Sequence, residues 1–354
     1  MKKILSLLLV LILCLGVFAS CGSTDNGDGS SSSSQSGTTD SSSSSDQNDT
    51  GSKEKTKIKL SVLNGTTGFG MAYLMAQDEA GTAYNDYEFK IETDATNIVS
   101  GLIAGTIDMA ALPTNAAANV YNKSNGNVQV IAINTLGVLY LLEKDDQISS
   151  ISDLKNTDKK IYVPAQNPRF ITEYILEANG ISADKIDSTT YSTPAALQAA
   201  VVAGQVELAV LPQPVITAAV AGAKKAGFTY STALDLTEEW NKIPGSEQLV
   251  QGCLVVRKGF AQENKDAVDG FLAEYETSIK YLNENPAEAS ALIVNYNIFA
   301  NASVAEKAIP FCNVTFMKGE EMKSAMSAFI GVMFDVAPAS VGNKIPANDF
   351  YYIP

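Results

Sequence analysis

A chain of 354 residues, 45% of them hydrophobic, is long enough for two packed lobes, and its formal charge of −14 excludes nucleic acid, whose phosphates need stripes of Lys and Arg. There is no histidine, which removes His-based acid–base catalysis, Ser-His-Asp triads and the commonest zinc sites, and the four cysteines match no metal spacing. No catalytic residue, metal or cofactor is therefore expected.

The chain opens with Lys2-Lys3, an apolar run from Ile4 to Leu15, and small residues up to Ala19-Ser20-Cys21. A charged start, a short apolar core and a small-residue cleavage site read as a signal peptide over 1–20, too short to span about 30 Å of hydrocarbon as a permanent helix. Its removal takes the charge to about −16 (−14 − 2, for Lys2 and Lys3). The stretch Val17-Phe18-Ala19-Ser20-Cys21-Gly22 resembles a bacterial lipobox, with Phe18 in place of the usual Leu. The resemblance implies lipidation of Cys21, palmitate included, and anchoring to the outer face of a bacterial membrane. Residues 21–55 are then a Ser/Gly/Asp-rich tether without an apolar face, with a root-mean-square reach of roughly 30 Å.

From Lys57 onward, strands alternate with helices. Lys57–Leu63 and Tyr87–Thr93 read as strands; Phe69–Glu79 and Ile98–Ala104 read as helices. The clearest signal is a repeat: Leu102–Pro113 (LIAGTIDMAALP) returns at Val201–Pro212 (VVAGQVELAVLP), an offset of 99 residues. Each copy is a helix end, a Gly stop, a buried strand (Ile107–Leu112, Val206–Leu211) and a Pro at the strand exit. In the second half Lys160–Val163 and Asp187–Tyr191 read as strands, and Phe170–Asn179 and Thr193–Ala203 as helices. The apolar runs Val128–Glu143 and Leu249–Arg257 read as two hinge crossings, and 264–333 as mostly helical, broken at Pro286 and Pro310. The expectation is an α/β protein of two lobes with mostly parallel, doubly wound sheets: lobe one 56–140 plus 255–354, lobe two 141–254. Cys253 and Cys312 either pair or stand as two small buried thiols.

Leu63–Gly68, Gly101–Pro113, Ile151–Lys155, Leu211–Pro214 and Val255–Phe260 together resemble the type 2 periplasmic-binding-protein fold. More narrowly they resemble the nitrate/sulfonate/taurine and thiamine-precursor group of ABC-transporter substrate-binding lipoproteins, over about residues 56–354. Pyrimidine-precursor synthases share the fold, but they consume a histidine and use a cysteine-rich motif, and this chain has neither. The resemblance implies an extracytoplasmic binding protein, monomeric and not an enzyme, that closes about a hinge on a small solute and hands it to a membrane permease and ATPase. The alternative readings are a sensory or adhesive surface lipoprotein that does not transport, and an enzyme on the same fold.

Ligands of open α/β sheets bind beyond the carboxyl ends of strands, so the loops there supply the candidates. They are Asn64, Thr66, Thr67, Gly68 and Phe69 in the glycine-rich turn after the first strand; Asp94, Thr96 and Asn97 in the loop after the second, where Thr96 or Asn97 can cap the next helix; and Thr114 and Asn115 after Pro113. Gln213 sits in the matched loop of lobe two. Asn134 and Thr135 interrupt an apolar run and need partners, either ligand or backbone. Gln166, Asn167 and Arg169 precede or open a helix, where Arg169 either forks a carboxylate or sulfonate or makes a surface salt bridge. Tyr191 opens the last lobe-two loop, Tyr191-Ser192-Thr193, where Ser and Thr either cap or meet the ligand, and Phe69, Tyr140, Phe170 and Trp240 offer aromatic faces for a flat ligand. The ligand is small and either anionic, like a sulfonate, or neutral, like a pyrimidine.

Overall fold

The glycines of the repeat do what their positions ask. Gly105 (φ 73°) and Gly204 (φ 66°) adopt the left-handed conformation that ends a helix, and each is followed by a strand whose first four residues are buried. The computed structural model describes residues 54–353 apart from Asp145; the expected signal peptide, Cys21 and nearly all of the tether lie outside the described residues.

Eleven strands are present among the described residues: β1 Lys57–Leu63, β2 Asp86–Glu92, β3 Met109–Pro113, β4 Val128–Leu136, β5 Leu139–Glu143, β6 Ile161–Tyr162, β7 Ile186–Asp187, β8 Leu208–Pro212, β9 Ser231–Asp235, β10 Val250–Arg257 and β11 Val314–Met317. They form two sheets, in the orders β11-β4-β10-β3-β1-β2 and β7-β6-β8-β5-β9. The antiparallel pairings all involve β10, β11 or β5; β1 to β4 point one way in the first sheet, and β6 to β9 one way in the second. The strands are thus mainly parallel, and near-continuous apolar runs such as Val130–Ile133 are buried on both faces, as helix-covered sheets require.

Each sheet receives its reversed central strand from the other half. After β4 the chain crosses at Gly137-Val138 and enters the second sheet as β5, between β8 and β9; β10 returns to lie between β3 and β4. The run Val128–Glu143 is therefore two strands in two sheets, not one. The residue at the break, Gly137, has no room for a side chain, because a β-carbon there would collide with the Thr237 side chain. The expected lobe boundaries shift accordingly. Leu139 and Tyr140 belong to the second sheet, and residues 250–254 to the first, because β10 is buried on both faces and needs a ladder partner on each side.

Two further expectations change. The strand expected over Asp187–Tyr191 stops at Asp187, whose carboxylate accepts the N–H groups of Thr189 and Thr190 (both 2.9 Å) and turns the chain; these bonds hold its pKa at about 2. In the C-terminal third, helices Lys265–Glu284 and Pro286–Asn295 meet at Pro286 as expected, but β11 intervenes before helix Gly319–Val336. A four-residue edge strand is too short to show a period of two against helical surroundings. Cys253 and Cys312 are free and buried, and burial pushes the Cys312 thiol up to about 12.

Candidate ligand cleft

The two sheets lie in one compact unit, Lys53–Pro354, and the carboxyl ends of their parallel strands border one cleft of about 530 Å³. From the first sheet come Asn64, Thr66 and Thr67 after β1, Thr93 after β2, Pro113 ending β3 and Thr135 near the end of β4. From the second come Asn167 after β6, Thr193 after β7 and Pro212 ending β8. The two repeat prolines, Pro113 and Pro212, thus border the same cavity, with Val138 and Gln251 beside the crossings.

Among the described residues, no Asp, Glu, Lys or Arg lines this cleft. Its polar groups are threonine hydroxyls and the amides of Asn64, Asn167, Gln198, Gln213 and Gln251; Leu63, Leu139, Val215 and Phe299 add apolar wall. Helices Thr114–Lys123, Asn167–Ala178, Pro194–Val202 and Val215–Lys225 all begin at its edge. The first N–H groups of a helix lack intrahelical partners and carry the positive end of its dipole, so the cleft is polarised toward negative charge without holding a formal cation. Direct bonds already join the halves. The Thr66 hydroxyl donates to the Gln213 carbonyl (2.7 Å), Asn167 Nδ2 to Asn115 Oδ1 (2.7 Å), and the Tyr140 hydroxyl to the Phe311 carbonyl (2.8 Å).

Of the residues expected from sequence, Asn64, Thr66, Thr67, Thr135, Asn167 and Gln213 line the cleft. Others support it from behind. Gly68 packs so closely that a β-carbon would come within 2.6 Å of the Leu63 carbonyl oxygen. Phe69 is fully buried, edge-on to Phe299 at 6.1 Å. Asp94 caps helix Ala95–Ala104 by accepting from the Thr96 N–H (2.8 Å), Asn97 donates to Glu92 (3.0 Å), and the buried Thr114 hydroxyl donates to the Val250 carbonyl (2.8 Å). Asn134 finds protein partners, donating to the Thr67 carbonyl (3.0 Å) and the Tyr275 hydroxyl (3.1 Å). Thr96, Asn115 and Gln166 border a neighbouring groove.

The remaining four lie elsewhere. Arg169 faces outward, paired with Glu173 one turn on (3.3 Å). Tyr191 packs edge-on to Tyr162, and Tyr140 lies on a separate cavity. Trp240 is buried in the core between Tyr174 and Phe329.

The model of the ABC-transporter, phosphonate, periplasmic substrate-binding protein family matches residues 77–305. The chain belongs to this family. It is accordingly the substrate-binding component of an ABC import system, in a family that works outside the cytoplasm. Solved structures share the fold: an ABC transporter protein from Parabacteroides distasonis (22% identity, 84% of this chain and 99% of that one, TM-score 0.71), the aliphatic sulphonate-binding protein SsuA from Escherichia coli (14%, 84% and 92%, 0.66), and the nitrate-binding protein NrtA from Synechocystis (14%, 82% and 85%, 0.58). No curated protein matches the sequence. Among the described residues no helix is long and apolar enough to cross a membrane.

Sequence reasoning missed several residues that this phosphonate-family binding protein brings to its cleft. Gln198 is the only polar side chain in helix Pro194–Val202, and Gln251 interrupts an apolar strand much as Asn134 does, so both carried a usable signal. Gln251 Oε1 accepts the Val138 N–H (2.7 Å), fixing the first crossing. Phe299 carried none. It arrives from a turn more than two hundred residues after β1, held there because the Gly65 N–H donates to the Ile298 carbonyl (3.1 Å).

Proposed function

We propose that this chain captures a small monoanionic oxyanion, of the sulfonate kind, and delivers it to a membrane permease and ATPase by closing about the crossings at Gly137-Val138 and before β10. One observation carries the reading: four helix N-termini face a cleft that contains hydroxyls and amides but no charged side chain. Helix ends and hydrogen-bond donors stabilise an anion by modest amounts each, suited to a single charge. A doubly ionised phosphonate would call for Arg or Lys. The apolar wall of Leu63, Leu139, Val215 and Phe299 suits a short organic tail. A receptor rather than an enzyme is the reading favoured by a lining with no carboxylate or thiol to move a proton.

A thermal-shift screen with methanesulfonate, taurine, nitrate, methylphosphonate and a pyrimidine tests it. A sulfonate is expected to raise the melting temperature by several degrees at saturating concentration. Its affinity should stay flat from about pH 5.5 to 8.5, where no cleft side chain titrates. Methylphosphonate should bind better toward low pH, as its monoanion. A shift with the pyrimidine alone, or strongest binding of the phosphonate dianion, would overturn the assignment.

We also propose that Cys21 carries the lipid that holds the protein at the outer face of the membrane, with 21–55 as the tether and the protein monomeric. The support is the order of charged start, apolar run, Cys21 and Ser/Gly/Asp-rich segment. Cys21→Ser should move the protein from the membrane fraction to the soluble one. Retention of the variant in the membrane would refute the anchor.

A further inference from the structure

A second cavity, also of about 530 Å³, lies apart from the cleft. One wall is helix Val215–Lys225 of the second half, through Ile216, Val220 and Ala221; the other is Phe311 and the end of helix Ala302–Ala308 from the first half. Gln213 separates it from the solute cleft, its carbonyl held by Thr66 and its Oε1 by the Thr217 hydroxyl (2.7 Å). Phe311 is 53% exposed, beside a ready-made apolar hollow that could cover it.

The formally charged side chains that line this hollow are both lysines. They are Lys224 from one half and Lys307 from the other, and neither pairs with a carboxylate among the described residues, in a chain of net charge −14. Two carboxylates, Asp235 and Glu238, act on Tyr140 at the edge of the hollow, and that of Asp235 is tied to the N–H groups of Thr237 and Glu238 at the start of the next helix.

We propose that this cavity is a second ligand site, for a small amphiphile with an aromatic or aliphatic body and one anionic head. The volume falls in the range of small-molecule pockets, roughly 300–1,000 Å³. The body would cover Phe311, Ile216 and Val220, and the head would lie between the two ammonium groups. Because each half supplies one wall and one lysine, an occupant joins the halves at a place the transported solute does not touch.

Anilinonaphthalene sulfonate, an aromatic body with one sulfonate, is the probe. With methanesulfonate saturating the solute cleft, the intact protein is expected to bind it at one saturable site with a blue-shifted rise in fluorescence. The double variant Lys224→Glu/Lys307→Glu should weaken binding at least about tenfold by charge reversal, and Ala221→Trp should do the same by filling the hollow. These three positions are exposed, so circular dichroism should stay that of the parent. Gln198→Glu, in the solute cleft, should leave the probe's affinity unchanged. Unchanged affinity in the lysine and Ala221 variants, or loss of binding in Gln198→Glu, would overturn the site. So would a concentration-dependent dimer on gel filtration that Ala221→Trp abolishes, which would make the hollow a contact between copies of this chain.

Discussion

Gln198→Glu is expected to reduce the affinity for an oxyanion about a hundredfold. Gln198 lines the cleft in the second turn of helix Pro194–Val202, and among the described residues no cationic side chain lines that cleft to neutralise a new carboxylate. A carboxylate about 5 Å from a bound anion, at an effective dielectric near 20, costs about 3 kcal/mol, and each ~1.4 kcal/mol is a factor of ten. The substitution preserves size, and Gln198 is only partly buried, so the fold should survive it. Gln198→Lys should act in the opposite sense and tighten the same ligand. Titration calorimetry with the best ligand of the screen is the measurement. A neutral ligand would change less than about tenfold in either variant, and an unaltered oxyanion affinity in both would place the anion somewhere other than this cleft.

Trp240→Ala should cost about 3–5 kcal/mol of stability, the range for deleting a large buried aromatic side chain. The indole is 1% exposed and lies 4.7 Å from the Tyr174 ring and 6.0 Å from the Phe329 ring, centroid to centroid. Its Nε1–H donates to the Glu247 carbonyl at 2.7 Å, so the truncation also leaves a carbonyl without its partner. Tyr174 belongs to a helix of the second half, and Phe329 to helix Gly319–Val336, which follows the first sheet. The side chain therefore joins the halves just before the second crossing. Trp240→Phe keeps much of the packing and loses the hydrogen bond, so its cost should fall well below that of Ala. Urea denaturation followed by circular dichroism reads both. A midpoint for Trp240→Ala equal to that of the parent would show that the surrounding core collapses into the space without loss.

The placement of Trp240 and Arg169 marks a limit of reading residues one at a time. Trp240 looked like a face for a flat ligand, and nothing within a few residues of it reveals Phe329 on the other side. Arg169 is different. Its partner Glu173 stands four residues on, a helical ion-pair spacing visible in the sequence, and an N-terminal arginine on that helix needed no ligand to account for it.

The repeat at 102–113 and 201–212, the glycine stops, the strand prolines and the helix starts beside them were fixed by local chemistry. A left-handed cap, an apolar run and a proline each act on neighbours within a turn or two, so they are written in consecutive residues. That much determined two α/β halves with a cleft at the strand ends. Only the tertiary structure decided that β5 and β10 exchange between sheets, that the cleft is free of charged side chains, and that Gln198, Gln251 and Phe299 enter it. Those outcomes depend on which strand finds a ladder on both sides and which turns meet across more than a hundred residues of chain. They follow from burial summed over the whole molecule, a quantity that no short segment of sequence contains.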